Sequence, residues 1–175
     1  GANGGATLVD AKYFYCITYT KLSGTTISNE LICYDIESWT EVSRKAIPLT
    51  TISTDMTWNP ADQKVYGAFY NTTKNGYVFG TLNLETGAVN KLSDITLQDD
   101  KGYPAGFVVI AANSIGEVYG ISQMGDLYKF NTEDGSYSLI GATGYTPLYQ
   151  QSGCFDFTTK QLYWAACNEN TSGIY

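Results

Sequence analysis

Histidine is missing from this sequence altogether. That excludes a Ser-His-Asp relay, a His-ligated metal and an ordinary imidazole base. Basic residues are scarce: ten Lys and Arg stand against 17 Asp and Glu, a formal charge of −7 with no basic run. Such a chain does not track a phosphate backbone, so nucleic acid is not an expected partner. No apolar run approaches the roughly 18 residues of a membrane-spanning helix, so no transmembrane segment is expected. The opening Gly1-Ala2-Asn3-Gly4-Gly5 precedes a strand pattern, not a helix, and so is not a phosphate-cradling loop. It does not have the pattern of a signal peptide either, which leaves secretion open. No motif implies a cofactor or a catalytic set.

What the sequence does contain is tyrosine, glycine and turn chemistry. Fifteen tyrosines among 175 residues favour strands, and eighteen glycines without a collagen period suit a turn-dense all-β chain. The stretch from Asp55 to Leu92 shows four short β-type runs. They are separated by Asn59-Pro60-Ala61-Asp62, by Asn71 to Gly76 and by Glu85-Thr86-Gly87. Asn, Asp, Gly and Pro accept the dihedrals that reverse a strand, so this is an expected four-stranded antiparallel meander.

The rest of the chain copies it. Tyr13-Phe14-Tyr15-Cys16, Lys64-Val65-Tyr66-Gly67, Glu117-Val118-Tyr119-Gly120 and Gln161-Leu162-Tyr163-Trp164 place a tyrosine at intervals of 51, 53 and 44 residues. A period of about 40 to 50 with several strands in each period marks propeller blades. Aligned without a gap, Thr57-Trp58-Asn59 corresponds to Ala6-Thr7-Leu8, Ile110-Ala111-Ala112 and Cys154-Phe155-Asp156, with 1–2 turns of equal length. The third strands end in a shared turn, at Leu31 to Ser38, Gly80 to Gly87 and Tyr128 to Gly135. A β-sandwich would also supply short strands, but it has no reason to repeat its turns at a fixed period. The expected fold is all-β: a β-propeller of four-stranded antiparallel blades near 4–48, 53–96, 106–142 and 151–175. Trp58, in the inner-strand slot, is expected to be mostly buried between blades.

The V-Y-G second strand and the L-x-x-x-N-x-E-T-G type of third strand resemble the degenerate propeller repeats of bacterial extracytoplasmic proteins. This is the broad class of NHL-like, YVTN-like and quinoprotein-like propellers. The resemblance implies a fold and a periplasmic or cell-surface location. It carries no catalytic residues over, because the Trp-Asp and Gly-His marks of WD repeats and the Trp-rich docking motif of quinone-dependent dehydrogenases are absent.

Measured against the Asp55–Leu92 template, the chain holds three complete blades and a partial fourth that stops at Ile174-Tyr175. It is expected to be part of a seven- or eight-bladed ring, as a piece of a longer protein or as a chain that self-associates to complete the ring. The four cysteines read in two ways. They are four small buried residues, or two intra-blade pairs, Cys16 with Cys33 and Cys154 with Cys167.

Binding is expected on the face carrying the 2–3 and 4–1 loops. Its 2–3 loops vary from long (Thr20 to Glu30) through intermediate (Asn71 to Gly76) to minimal (Met124-Gly125-Asp126), and variable loops on a regular scaffold are where function concentrates. The 4–1 loops supply the candidate residues Tyr103, Tyr145, Tyr149, Gln150, Asp99 and Asp100. Tyrosine offers flat contact area and a hydroxyl, which suits a glycan or a protein surface. Asp99-Asp100 lacks the spaced oxygen ligands of a calcium loop and reads as a solvated acidic turn. The expected function is thus a non-enzymatic binding module. The alternative is a fragment of a propeller glycoside hydrolase or lyase whose active site needs further blades; carboxylates such as Asp55, Asp99 and Asp156 are candidates that the sequence does not pair, and Asp55 alone reads as a strand-entry residue.

Overall fold

The computed structural model describes residues 2–21, 27–48 and 51–175, with the backbone alone at Ala2, Asn3, Lys21, Ile27 and Thr51. The tip of the long first 2–3 loop, residues 22–26, lies outside the described residues. Every described element is a strand. The first sheet is a meander of β1 (Ala2–Val9), β2 (Tyr13–Lys21), β3 (Ile27–Asp35) and β4 (Thr40–Ala46). The second runs β5 (Thr51–Asn59), β6 (Lys64–Asn71), β7 (Gly76–Leu82) and β8 (Val89–Ile95). The third runs β9 (Phe107–Ala112), β10 (Val118–Ser122), β11 (Asp126–Phe130) and β12 (Tyr137–Ala142). The fourth has three strands, β13 (Ser152–Asp156), β14 (Gln161–Cys167) and β15 (Ser172–Ile174). The first strands lie side by side around an axis, β1 beside β5, β5 beside β9 and β9 beside β13. Four antiparallel sheets arranged in this way are the blades of a β-propeller.

Apolar side chains fill the three spaces between blades. Ile17, Leu31, Met56, Val65 and Phe69 join blades 1 and 2. Tyr66, Phe79, Phe107, Ile110 and Phe130 join blades 2 and 3. Val109, Ala111, Ile121, Trp164 and Ala166 join blades 3 and 4. Hydroxyls on the inner strands add polar ties. Trp58 N donates to Thr7 Oγ1 at 2.7 Å, and Ala112 N donates to Thr57 Oγ1 at 3.0 Å. Each bond satisfies an amide that the neighbouring inner strand leaves without a ladder partner.

The register corrects the gapless repeat alignment. Thr7 lies opposite Tyr15, Thr57 opposite Tyr66, Ala111 opposite Tyr119 and Cys154 opposite Tyr163. Thr57 and Cys154, not Trp58 and Phe155, are therefore the equivalents of Thr7 and Ala111. The cause lies in the 1–2 turns, which are not equal in length. In blades 2 and 4 the turn closes with Gln63 N on Asn59 O and Lys160 N on Asp156 O, with Gln63 at φ 58° and Lys160 at φ 61°. In blade 3, Asn113 N bonds Glu117 O and Gly116 takes φ 91°, one residue shorter. A slip of one residue moves a side chain to the other face of the sheet. Ala111 is accordingly fully buried, whereas Trp58 is half-buried at the margin of the core between blades 1 and 2.

The 3–4 turns are likewise offset from the sequence alignment. Asp35 Oδ1, Asn83 Oδ1 and Asn131 Oδ1 each accept backbone amides two or three residues on, and so occupy equivalent positions. The residue four positions later takes a left-handed conformation: Gly87 at 71°, Gly135 at 74° and Trp39 at 53°. Glycine is required at 87 because a Cβ there would lie 2.2 Å from Ile47 Cγ2, on the preceding blade. Trp39 is 66% exposed.

The cysteines are unpaired. Cys16 lies opposite Ile32 and Cys33 opposite Tyr15, so these two thiols sit on opposite faces of one sheet and cannot bridge. Cys154 lies opposite Tyr163 and Cys167 opposite Ser172, several residues apart along β14. Cys16 and Cys33 are buried, but Cys154 is exposed and Cys167 half-buried, so the expectation of four buried thiols fails for the last blade.

Candidate functional site

The loop face of blades 2 to 4 holds an open groove of about 760 Å³. Its walls come from the segment between β8 and β9 (Asp99, Asp100), the β10–β11 turn (Gln123, Met124) and the segment between β12 and β13 (Thr146 to Gln150). Its floor comes from the starts of the strands, with Thr54, Tyr77, Phe107 and Val108.

Each wall is fixed by local hydrogen bonds. Asp99 Oδ1 accepts the amides of Lys101 at 2.9 Å and Tyr103 at 2.8 Å, and Gly102 at φ 81° completes this tight loop. The aspartate caps its own turn, as Asx residues do. The β10–β11 turn is held by Ser122 Oγ, which accepts from Met124 N and Asp126 N, and by Gln123 Oε1, which accepts from Gly106 N at 3.0 Å. Gly125 at φ 86° brings this turn against the next wall, where a Cβ would stand 2.0 Å from Tyr145 O. Gly125→Ala is therefore expected to destabilise the protein by more than about 1 kcal/mol. It should lower Tm by at least about 2–4 °C, which thermal melting reads directly.

The third wall is anchored to β14. Leu148 N donates to Cys167 O at 2.9 Å, and Gln151 Nε2 donates to Leu148 O at 2.8 Å and also to Cys167 O. Between these anchors Tyr149 stands at φ 69° and 77% exposed.

The structure thus gathers Asp99, Asp100, Tyr149 and Gln150 at one groove. Two other sequence candidates stand apart. Tyr145 packs edge-on against Trp164 with centroids 5.3 Å apart, and its hydroxyl donates to Thr171 O, so it holds blade 4 together. Tyr103 is 66% exposed at the tip of its loop and does not line the groove. Asp156, one of the hydrolase candidates, caps the β13–β14 turn by accepting the amides of Thr158 and Thr159. That turn lies at the opposite end of the blade from Asp99, so the two carboxylates do not form a pair.

Sequence reasoning missed the floor and the inner end. Beside the axis the groove continues into a smaller cavity of about 260 Å³, lined by Gly5, Ala6, Thr54, Asp55 and Gln150 to Ser152. Thr54 and Gln150 line both cavities. Asp55, on β5, is 1% exposed. Its Oδ2 accepts from Ile110 N of blade 3 at 2.8 Å, and its Oδ1 accepts from Ser152 Oγ of blade 4 at 3.2 Å. By register the equivalents of Asp55 in the other blades are Gly5, Val109 and Ser152. The one available signal was Asp55 itself, the only charged residue in that column of inner strands. Burial pushes its carboxyl well above the usual carboxylate range, outweighing the bonds from Ile110, Met56 and Ser152 that favour the ionised form.

Among the described residues, no lysine or arginine lines either cavity. Nor, among them, does any cluster of three or more His, Cys, Asp or Glu form a metal site, and no helix is long and apolar enough to cross a membrane.

No known protein family matches the chain, and no curated protein matches it. Solved propeller structures do. The chain is similar to hydrazine synthase of Kuenenia stuttgartiensis, at 16% identity and TM-score 0.61 over 97% of this chain and 57% of that one. It is similar to a protein of unknown function from Bacteroides thetaiotaomicron VPI-5482, at 16% identity and TM-score 0.58 over 92% of this chain and 41% of that one. It is also similar to TolB from Acinetobacter baumannii, at 12% identity and TM-score 0.55 over 99% and 40%. The chain thus spans roughly half the length of these solved chains, and at such identity the likeness extends to the fold alone.

Proposed function

We propose that the chain is the ligand-binding part of a bacterial extracytoplasmic β-propeller, holding a glycan or a protein segment in the groove of its loop face. One observation carries this reading: three independently braced loop walls meet around a groove that combines the rings of Tyr77 and Tyr149 with the polar ends of Asp99, Asp100, Gln123 and Gln150. Flat aromatic area beside placed hydrogen-bonding groups is what a binding cleft requires. The extracytoplasmic placement is supported by the resemblance of the repeats to bacterial propellers of that location.

Glycan-array and peptide-library screening tests the reading. Tyr149→Ala is expected to lower affinity for a captured ligand about three- to tenfold. Because Tyr149 is exposed, stability should change by less than about 0.5 kcal/mol. Unchanged binding by that variant would count against the groove. The second reading, a hydrolase fragment, draws on the buried carboxyl of Asp55 at the inner end. It predicts turnover of a glycoside that one carboxylate substitution abolishes.

A further inference from the structure

We propose that the inner end of the groove, between Asp55, Gln151 and Ser152, is a subsite for a primary ammonium group of the bound ligand. The inference rests on the binding reading above and deepens it. Its first support is an orphaned acceptor. Gln151 is only 9% exposed, and its amide orientation is fixed because Nε2 donates to two carbonyls, Leu148 O and Cys167 O, which can only accept. Its Oε1 is left buried with no hydrogen-bond partner, in a side chain that lines the inner cavity. A buried acceptor without a donor is costly, and a ligand donor arriving there relieves that cost.

The second support is the company Oε1 keeps. The Asp55 carboxyl and the Ser152 hydroxyl line the same cavity. An ammonium group offers three donors to such a set, whereas a hydroxyl offers one. Charge selects between them. Asp99 and Asp100 line the outer groove, no basic side chain among the described residues lines either cavity, and the whole chain carries −7. Walls of one sign concentrate a ligand of the other.

Binding is also proton-linked. The residues facing Asp55 are Gly5 on β1, Ala68 on β6, Ile110 on β9 and Ser152 on β13. None of these titrates, and no other residue lining the inner cavity does. An incoming ammonium group favours the ionised carboxylate, so Asp55 gives up its proton to solvent on binding. Affinity then rises with pH as Asp55 ionises and falls again once the ligand's own ammonium group loses its proton.

The source of the amine is an amino sugar or a lysine side chain, and titration calorimetry separates the two. The probes are a glucosamine tetrasaccharide with its N-acetylated counterpart, and Nα-acetyl-lysine amide with its Nε-acetylated counterpart. The free-amine form of one pair is expected to bind at least about tenfold more tightly than the acetylated form. Asp55→Asn should reduce that preference to within about threefold without lowering the melting temperature, because the asparagine amide can accept from Ile110 N and donate to Ser152 Oγ. The rise of affinity with pH should vanish in the same variant. An acetylated probe that binds as tightly as the free amine, with loss of affinity in Tyr149→Ala, would overturn the ammonium subsite and leave the groove standing. Calcium binding that is abolished by Asp55→Asn would also overturn it, in favour of a metal ion. Failure of every glycan and peptide to bind would remove the binding reading itself.

Discussion

Replacing Phe79 by alanine is expected to destabilise the protein by about 3–5 kcal/mol, the cost of emptying a well-packed aromatic site. Phe79 is 0% exposed and lies between blades 2 and 3. Its ring stacks on Phe130 at 4.0 Å between centroids with an interplanar angle of 16°, and on Tyr66 at 5.7 Å with 15°. The Phe79–Phe130 contact crosses from β7 to β11, and Phe130 in turn meets Phe107 at 4.9 Å and Tyr137 at 5.6 Å. Alanine would thus strip one face from a cluster that couples two blades, leaving a cavity that rigid strands on both sides prevent from collapsing. Denaturant unfolding measures the loss. A penalty below about 1 kcal/mol would mean that the blades are not joined through this cluster. The sequence pointed to Trp58 as the buried aromatic between blades; Trp58 is half-buried at the margin, and the fully buried ring between blades is Phe79.

The second large effect concerns Asp55, and its sign depends on the substitution. Asp55→Ala leaves the buried Ile110 amide and the Ser152 hydroxyl without their acceptor. An unsatisfied buried donor costs about 1–3 kcal/mol, to which the vacated volume adds. Asp55→Asn retains both bonds and is expected to be neutral at low pH and stabilising at high pH. The folded-state pKa of Asp55 is raised by burial, so the fold favours the neutral acid. The stability linked to this group is fully present below the ordinary carboxylate pKa of about 4 and is lost as pH rises toward the raised folded value. Unfolding curves at pH 4, 6 and 8 should show the advantage of Asp55→Asn over the wild type growing with pH. An advantage that shrinks as pH rises would show that the carboxylate is ionised in the fold.

Much of the architecture was legible because it is written in local chemistry. The Asx-headed turns at Asn83 and Asn131, each with glycine four residues later, and the recurring tyrosine of each second strand are short-range signals that survive in a single sequence. The one-residue shifts were not legible. Asn59 and Asn113 both head a 1–2 turn, and the choice between a longer and a shorter turn rests on which later residue takes a left-handed conformation, Gln63 or Gly116. Because side chains alternate along a strand, that single choice decided which of the two meets blade 3, Thr57, and which packs toward blade 1, Trp58.

The site was legible only as a face. Loop composition singled out tyrosines without saying which way each points: Tyr149 stands at the groove, while Tyr145 is drawn onto Trp164 by a contact across the blade. The inner end was beyond reach for a different reason. Asp55 meets Ser152 across 97 residues of sequence, and the orphaned carbonyl of Gln151 exists only because two main-chain oxygens capture its nitrogen. Neither fact has a counterpart in local pattern.

The measurement that bears most directly on the groove is amide chemical-shift mapping of the protein titrated with whichever glycan or peptide the screens capture. The perturbed amides are expected in three stretches, 97–107, 122–126 and 143–153, together with Thr54 and Tyr77. Perturbations centred instead on the opposite turns, at 35–39, 59–64, 83–88 and 131–136, would place the ligand on the other face and contradict the assignment of this groove as the binding site.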